Sequence, residues 1–402
     1  MITQKKRCQL ALIQLEQYDT RAYLTKSRQP VHPDIAKRLK WTLRLRLTHY
    51  LSFIFGITLA NMMIQAVVRT VEKIVWWRVK KKIAQLKRGG LQVVAIAGSY
   101  GKTSVKHYTY ELLRHKYRVV ATPESFNTIL GIAKCLEWEV DESTQIFLVE
   151  VGAYHIGDIT YLLQMVQPDI GVLTGMARQH LERFGSWENI QLAKSEIAVF
   201  MGSSGGQLVA NGSDKVVKEN VEKLGVKTIW YPTSPLASLG ASRNEVNLDG
   251  AKMIAREFGV TSFSTKIRQV KNRFEMTTER YGMRVIDDSF SSNDKGFVLA
   301  VEHLGKQTKY TRILVTPGLV ELGSESNKIH RELGQAIIGN ADMVLLVGDS
   351  ERTRSLEEGI AKKVRILHIE KTLDFIKVVK NLKLKKEPLV LIENDVTENY
   401  LA

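Results

Sequence analysis

The chain has 402 residues, 44% of them hydrophobic, and a formal net charge of +16. That length supports two or three domains, each with its own core. Two cysteines, Cys8 and Cys135, are too few for a disulfide scaffold or a thiolate metal site and point to a reducing compartment.

Residues 1–90 carry nineteen Lys and Arg against four Asp and Glu, so nearly all of the excess charge belongs to one segment. No recognition motif accompanies that charge, and no nucleic-acid partner is expected. Within the segment, Leu47 to Val68 is a run of 22 residues without Lys, Arg, Asp or Glu. As one helix it would measure about 33 Å, enough for a hydrocarbon core of about 30 Å. His49, Asn61 and Gln65 interrupt it, which leaves open a helix lying in the membrane interface, or a docking hairpin with a basic exposed face. Lys37, Arg38, Lys40, Arg44 and Arg46 precede the run; Arg69, Lys73, Arg78 and Lys80 to Lys82 follow it, beside Trp76 and Trp77. That combination suits the headgroup layer, so contact with membrane lipid at the cytoplasmic face is expected. The run is too long and too far from Met1 for a signal peptide.

From Leu91 the pattern changes to short β-branched runs alternating with helical stretches. Strands are predicted at 93–97, 118–121, 146–151, 170–174 and 207–211, with helices at 103–115, 128–136, 190–200 and 246–258. Such alternation predicts an α/β fold: a central, mostly parallel sheet with helices on both faces. A second unit begins near Ile267, with a hairpin or strand entry at Tyr281-Gly282. Strands at 312–316, 343–347, 364–369 and 389–392 then give a smaller carboxyl-terminal α/β domain. The expected organisation is a basic helical segment (1–90), a central domain (91–266) and a carboxyl-terminal domain (267–402).

The most informative stretch is Ala97-Gly98-Ser99-Tyr100-Gly101-Lys102-Thr103-Ser104, because it joins a predicted strand to a predicted helix. Backbone N–H groups of such a glycine loop hold nucleotide phosphates, with Lys102 against the terminal phosphates and the Thr103 or Ser104 hydroxyl on Mg²⁺. Ile96 stands where the commoner, longer loop carries its first glycine. ATP and Mg²⁺ are therefore the expected cofactors. Glu150 closes another strand, at the carboxyl edge where sheets of this kind bind ligands, and is a candidate Mg²⁺ ligand. His180 follows the next strand and reaches the same edge, suited to metal or phosphate contact. Lys194 near a helix start carries no chemistry by itself, since isolated lysines are mostly solvated. In Asp287-Asp288-Ser289 one acid could meet a cationic ligand while the other caps the following helix, or the pair is a simple acidic turn.

Together these motifs resemble the Mur ligase family. The Gly98 to Ser104 loop, Phe126-Asn127-Thr128-x-x-Gly131, Glu150-x-Gly152, His180-Leu181-Glu182-Arg183-Phe184-Gly185, Lys194-Ser195-Glu196 and Asp287-Asp288-Ser289-Phe290-x-x-Asn293 occur in family order. Thr316-Pro317-Gly318-Leu319-Val320-Glu321-Leu322-Gly323 with His330 resembles its carboxyl-terminal domain. The resemblance implies that Thr103, Glu150 and His180 surround metal ions and that Asn127 lies near the phosphate-transfer centre. It implies that Lys194 matches a lysine carbamylated in several members, that Arg273 precedes the domain junction, and that Asp288 and Asn293 lie near nucleotide and junction. The implied activity is ADP-forming ligation of a carboxylate to an amino-acid or dipeptide amine through an acyl phosphate, on a cell-wall precursor. A synthetase subunit working with a glutaminase, or a nucleotide-binding scaffold for cell-wall enzymes, are the alternatives. Three departures stand out: the basic segment occupies the place of the family's sugar-nucleotide domain, the central domain is short after Tyr231, and Ile392-Glu393-Asn394-Asp395 lacks an expected Lys-Gly-Ser.

Overall fold

The structure is a computed structural model that describes residues 9–10, 42–123, 126–232, 243–263, 275–280, 282–289 and 293–394. They fall into two compact units divided between Trp76 and Trp77.

The first unit is dominated by the helix Leu43–Arg88, which runs on past the division. Thr42 Oγ1 accepts from Leu45 N at 3.1 Å at its start. Gly56 sits inside the apolar run at φ 74°, ψ 160°, outside helical geometry, so the run forms two helical pieces and not one rod. Thr48, His49, Ser52 and Asn61 are buried polar groups in the same stretch. Among the described residues no helix is long and apolar enough to cross a membrane. Leu59, Met63, Val67 and Ile74 are exposed on this helix, with Arg69 and Lys73 exposed as well.

The second unit opens with the last turns of that helix. Lys82 Nζ donates to Leu136 O at 2.6 Å, and Lys87 Nζ to Asp169 Oδ1 at 2.7 Å. The other oxygen of Asp169 accepts from Val93 N at 2.8 Å, so part of the basic run is tied to the sheet that follows.

That sheet contains β1 (Gln92–Ala97), β2 (Val119–Ala121), β3 (Ile146–Glu150), β4 (Ile170–Leu173), β5 (Gln207–Asn211) and β6 (Thr228–Tyr231), in the order β2-β3-β1-β4-β5-β6. Every neighbouring pair is parallel. Val94, Ile96, Leu148, Val172 and Val209 pack on one face against Val105, Tyr108 and Leu112 of the helix Lys102–Leu113 and Ala251, Ile254 and Ala255 of the helix Arg243–Glu257. The alternate residues Val93, Ala95, Phe147 and Val149 are also fully buried, and the helices Asp158–Val166 and Trp187–Ser204 pack on the sheet as well. Burial on both faces explains why these strands read as continuous apolar runs. Each fully buried Val or Leu stabilises the fold by about 1.5–3 kcal/mol.

A second sheet holds β7 (Glu275–Arg280), β8 (Met283–Asp288), β9 (Thr311–Thr316), β10 (Met343–Val347), β11 (Arg365–Ile369) and β12 (Pro388–Glu393), ordered β11-β10-β9-β12-β8-β7. It is parallel except for the β7/β8 hairpin, which turns at the expected place beside Gly282. Strand β6 and the helices Asp158–Val166 and Lys215–Leu224 go beyond the sequence expectation. The strand has four residues and the helices nine and ten, too short for periodicity to declare them.

Asp214 anchors the edge of the first sheet. Its Oδ1 caps the helix Lys215–Leu224 through Val216 N at 3.0 Å and Val217 N at 3.3 Å. Its Oδ2 accepts from Tyr100 OH at 2.6 Å and Met176 N at 3.0 Å, and Lys295 Nζ lies 3.0 Å from Oδ1. Losing a cap alone costs about 1 kcal/mol, and here buried donors would be orphaned as well. Asp214→Ala is therefore expected to lower unfolding free energy by about 2–3 kcal/mol in urea titrations. Lys295→Ala should cost under about 1 kcal/mol, because that lysine is one-third exposed.

Candidate active site

The glycine loop lies between the end of β1 and the helix Lys102–Leu113. Gly98 at φ 143° and Gly101 at φ 84° adopt backbone that side-chain-bearing residues avoid. A Cβ on Gly101 would stand 2.7 Å from Asn247 Oδ1. Thr174 Oγ1, just past β4, donates to Ala97 O at 3.1 Å and contacts Tyr100 O, bracing the loop from the neighbouring strand. Lys102 Nζ folds back onto Gly98 O at 2.8 Å and Ser99 O at 3.4 Å. Ser99 Oγ is buried with no hydrogen-bond partner among the described residues.

Register brings the acid to this loop. Ile96 of β1 pairs with Glu150 of β3, and Thr103 Oγ1 donates to Glu150 Oε2 at 2.9 Å. The same oxygen accepts from Lys106 Nζ at 3.2 Å, both side chains being almost fully buried. Thr122 Oγ1 accepts from Glu150 N at 3.1 Å and from Lys106 Nζ at 3.4 Å. Ser104, the other candidate hydroxyl, is buried in the helix. Sequence reasoning missed Lys106, although a residue three positions after Thr103 on a helix shares its face.

Asn127 lies beside the end of β3: its carbonyl accepts from Gly152 N at 3.2 Å, and a Cβ on Gly152 would meet its side chain. Lys194 is buried in the helix Trp187–Ser204, where its Nζ donates to Ala153 O at 3.3 Å and stands 5.3 Å from the centroid of the Phe184 ring. Burial pushes its pKa down to about 7, helped by the Lys102 charge and opposed by Asp158 and Glu196. Burial also holds His180 below the usual imidazole range, against the pull of Glu321; Lys194 and Lys102 lower it further. Lys102, His180 and Lys194 therefore share one electrostatic neighbourhood.

His180 is placed differently from the expected metal trio. Its Nδ1 makes a short hydrogen bond to Glu321 Oε2, and its ring packs edge-on against Tyr154 with centroids 5.0 Å apart. Thr103 and Glu150 are in direct contact, whereas the side-chain contacts of His180 run to Tyr154 and, across to the second sheet's domain, to Glu321. Among the described residues no group of three His, Cys, Asp or Glu side chains could hold a metal. Mg²⁺ commonly binds through one or two carboxylates plus substrate phosphates and waters. The Thr103 hydroxyl, the Glu150 carboxylate, the loop's close-fitting glycines and the orphaned Ser99 hydroxyl fit a magnesium-bound nucleotide on those terms.

From the second domain, Asp288 is fully buried at the end of β8, opposite Glu393 of β12. Neither acid caps the next helix. Asn293 does so, accepting from Gly296 N at 2.7 Å, and Asp287 Oδ1 accepts from Ser289 N at 3.1 Å. The helix accordingly begins at Asp294. Arg273 lies outside the described residues.

Residues 96–278 match the Mur ligase middle domain, and residues 272–393 match the Mur ligase glutamate ligase domain. The chain belongs to the Mur ligase family. It is 28% identical over 295 residues to a UDP-N-acetylmuramoyl-tripeptide–D-alanyl-D-alanine ligase of Haemophilus influenzae, covering 64% of each chain. The Escherichia coli enzyme of the same name is 26% identical, covering 67% of this chain and 68% of that one. The chain thus spans about two thirds of the length of these curated relatives. Among solved structures, the MurF ligase from Thermotoga maritima in complex with ADP shares the fold, with TM-score 0.69, 22% identity and 80% of each chain covered. MurF from Acinetobacter baumannii superposes with TM-score 0.68 at 20% identity, over 81% of this chain and 78% of that one.

In this Mur ligase chain the burial of Lys194 has a measurable sign. Its pKa in the fold, about 7, lies below the ordinary 10.5, so between those values the unfolded chain binds more protons and stability rises with pH. The penalty is fully present below about pH 7. The wild type should gain stability relative to Lys194→Met as pH rises from about 7 to about 10, read as the difference between their melting temperatures; a pH-independent difference would reject a neutral buried amine.

Proposed function

We propose that the chain is an ADP-forming acid–amine ligase acting on a peptidoglycan precursor. The observation that carries this reading is the junction of the glycine loop with Glu150 through Thr103. The curated relatives are ligases of this class by name.

In the proposed reaction a substrate carboxylate oxygen attacks the γ-phosphorus of ATP, and the bond to the β–γ bridging oxygen breaks, releasing ADP. The nitrogen of the incoming amine then attacks the acyl carbon; inorganic phosphate leaves, and the amine gives up a proton. Bound Mg²⁺, held by Thr103 and Glu150, would supply positive charge against the phosphate oxygens. Lys102 would exchange its loop carbonyls for phosphate oxygens and offset the charge that develops there. Asn127 and His180 would flank the region where the acyl phosphate forms. Contacts between the two α/β domains would keep water from that labile species.

The amine is proposed to be an amino acid or dipeptide, and the carboxylate to belong to a lipid-linked muropeptide. The exposed Leu59, Met63, Val67 and Ile74 beside Arg69 and Lys73 favour peripheral attachment to an anionic lipid surface.

The test is mass-spectrometric screening of ATP, Mg²⁺, lipid-linked and soluble muropeptides, and candidate amines. ADP, phosphate and an amide product should appear together. Lys102→Ala is expected to lower turnover by about 10²-fold or more with the fold intact by circular dichroism. Product formation that requires glutamine and a copurifying glutaminase would move the reading to an amidotransferase subunit. Nucleotide binding without any product would move it to a scaffold.

A further inference from the structure

Glu321 belongs to the loop after β9, in the second domain, yet both of its carboxylate oxygens are committed to the first. Oε2 meets His180 Nδ1 in a short hydrogen bond, while Oε1 accepts from Arg183 Nη2 at 3.1 Å and Nε at 3.3 Å. The backbones are joined as well, since Glu182 N donates to Glu321 O at 3.0 Å. The Glu321 side chain is 7% exposed.

Both ends of the contact are conformationally costly. His180 has φ 56° and Glu321 φ 58°, left-handed values that non-glycine residues adopt only at a cost in backbone strain. Such geometry persists only where the surroundings over-determine it. Tyr154 completes the enclosure: it packs against the His180 ring, and Arg183 Cζ lies 5.0 Å from its ring centroid. A carboxylate accepts hydrogen bonds and does not donate, so the Nδ1 that faces it carries the proton. Nε2 is left as the atom available to a ligand, and it makes no hydrogen bond among the described residues.

We propose that Glu321 is a positioning residue for His180: docking of the carboxyl-terminal domain delivers the carboxylate that fixes the tautomer and the orientation of the histidine. This rests on the ligase reading for its effect on turnover, but not for its effect on the ring. The site is thereby assembled from two domains.

The test uses the full chain labelled with ¹⁵N-histidine, the His180 signals being assigned with His180→Gln. Wild type should show a protonated Nδ1 at His180, and Glu321→Ala a mixture with the Nε2–H form. Under turnover, Glu321→Ala should lower kcat by about 10- to 100-fold with KM for ATP changed less than about twofold, and Glu321→Gln should recover part of the loss. Glu332→Ala removes a different ion pair of the same boundary, to Arg178, and should leave both readouts near wild type. The proposal is overturned if Glu321→Ala keeps the wild-type tautomer, if its kcat stays within twofold, if the loss falls on KM, or if Glu332→Ala loses as much. Should no substrate turn over, the nitrogen shifts alone decide the role of Glu321, because they are read without reaction.

Discussion

A carboxylate in the interior needs a cation, and the second unit is built around satisfying Glu150. Lys106 and Glu150 are both nearly inaccessible and 3.2 Å apart. Burying such a pair is often no better for stability than a well-packed apolar pair, while removing one partner alone costs about 3–5 kcal/mol. What the pair secures is position, since Thr103 donates to the same oxygen and binds the start of the helix Lys102–Leu113 to the end of β3. That arrangement requires the β1/β3 register in which Ile96 faces Glu150. A slip of one residue would turn the acid to the opposite face of the sheet and separate it from the glycine loop.

The boundary between the two sheets' domains has a different character. It is joined by Lys295 to Asp214, by Arg178 to Asp294 and Glu332, and by His180 and Arg183 to Glu321. Polar boundaries of this kind resemble transient interfaces and permit domain motion. An apolar boundary of equal extent would hold the halves together and hinder exchange of substrate and product. Asp214 couples the boundary to the glycine loop, because the carboxylate that takes Lys295 also takes the Tyr100 hydroxyl.

Much of this arrangement is legible in the sequence, for identifiable reasons. Strands buried on both faces leave unbroken β-branched runs, so β1, β3, β4 and β5 emerge within a residue or two of their ends. Glu150 is found by the rule that ligand-binding groups collect at the carboxyl ends of parallel strands. The same rule points to Asp214, three residues after the end of β5, but the Gly212-Ser213 turn obscures it. The partnership of His180 with Glu321 spans 141 residues, and no local pattern declares a contact of that range. Gly56 shows the converse: the composition of the run suits a bilayer, while the backbone angles that interrupt the helix leave no trace in hydropathy. At Asn293 the acids nearby suggested a cap, yet the amide five to six residues further on supplies it, because Asp287 and Asp288 still belong to the strand.

Lys194 draws these features together. It is a buried amine in the field of Lys102, with Asp158 and Glu196 only partly offsetting that field. Burial first, and the charge of Lys102 second, push the Lys194 pKa down to about 7, so the neutral amine is readily reached near that pH. A neutral amine is the form that can add carbon dioxide, and the resulting carbamate would replace repulsion from Lys102 by attraction. Polyphosphate entering the glycine loop acts in the opposite sense, since its negative charge favours the protonated amine and opposes an anion there. A carbamate at Lys194 would thus be compatible with a nucleotide in the glycine loop only if cations stood between the two.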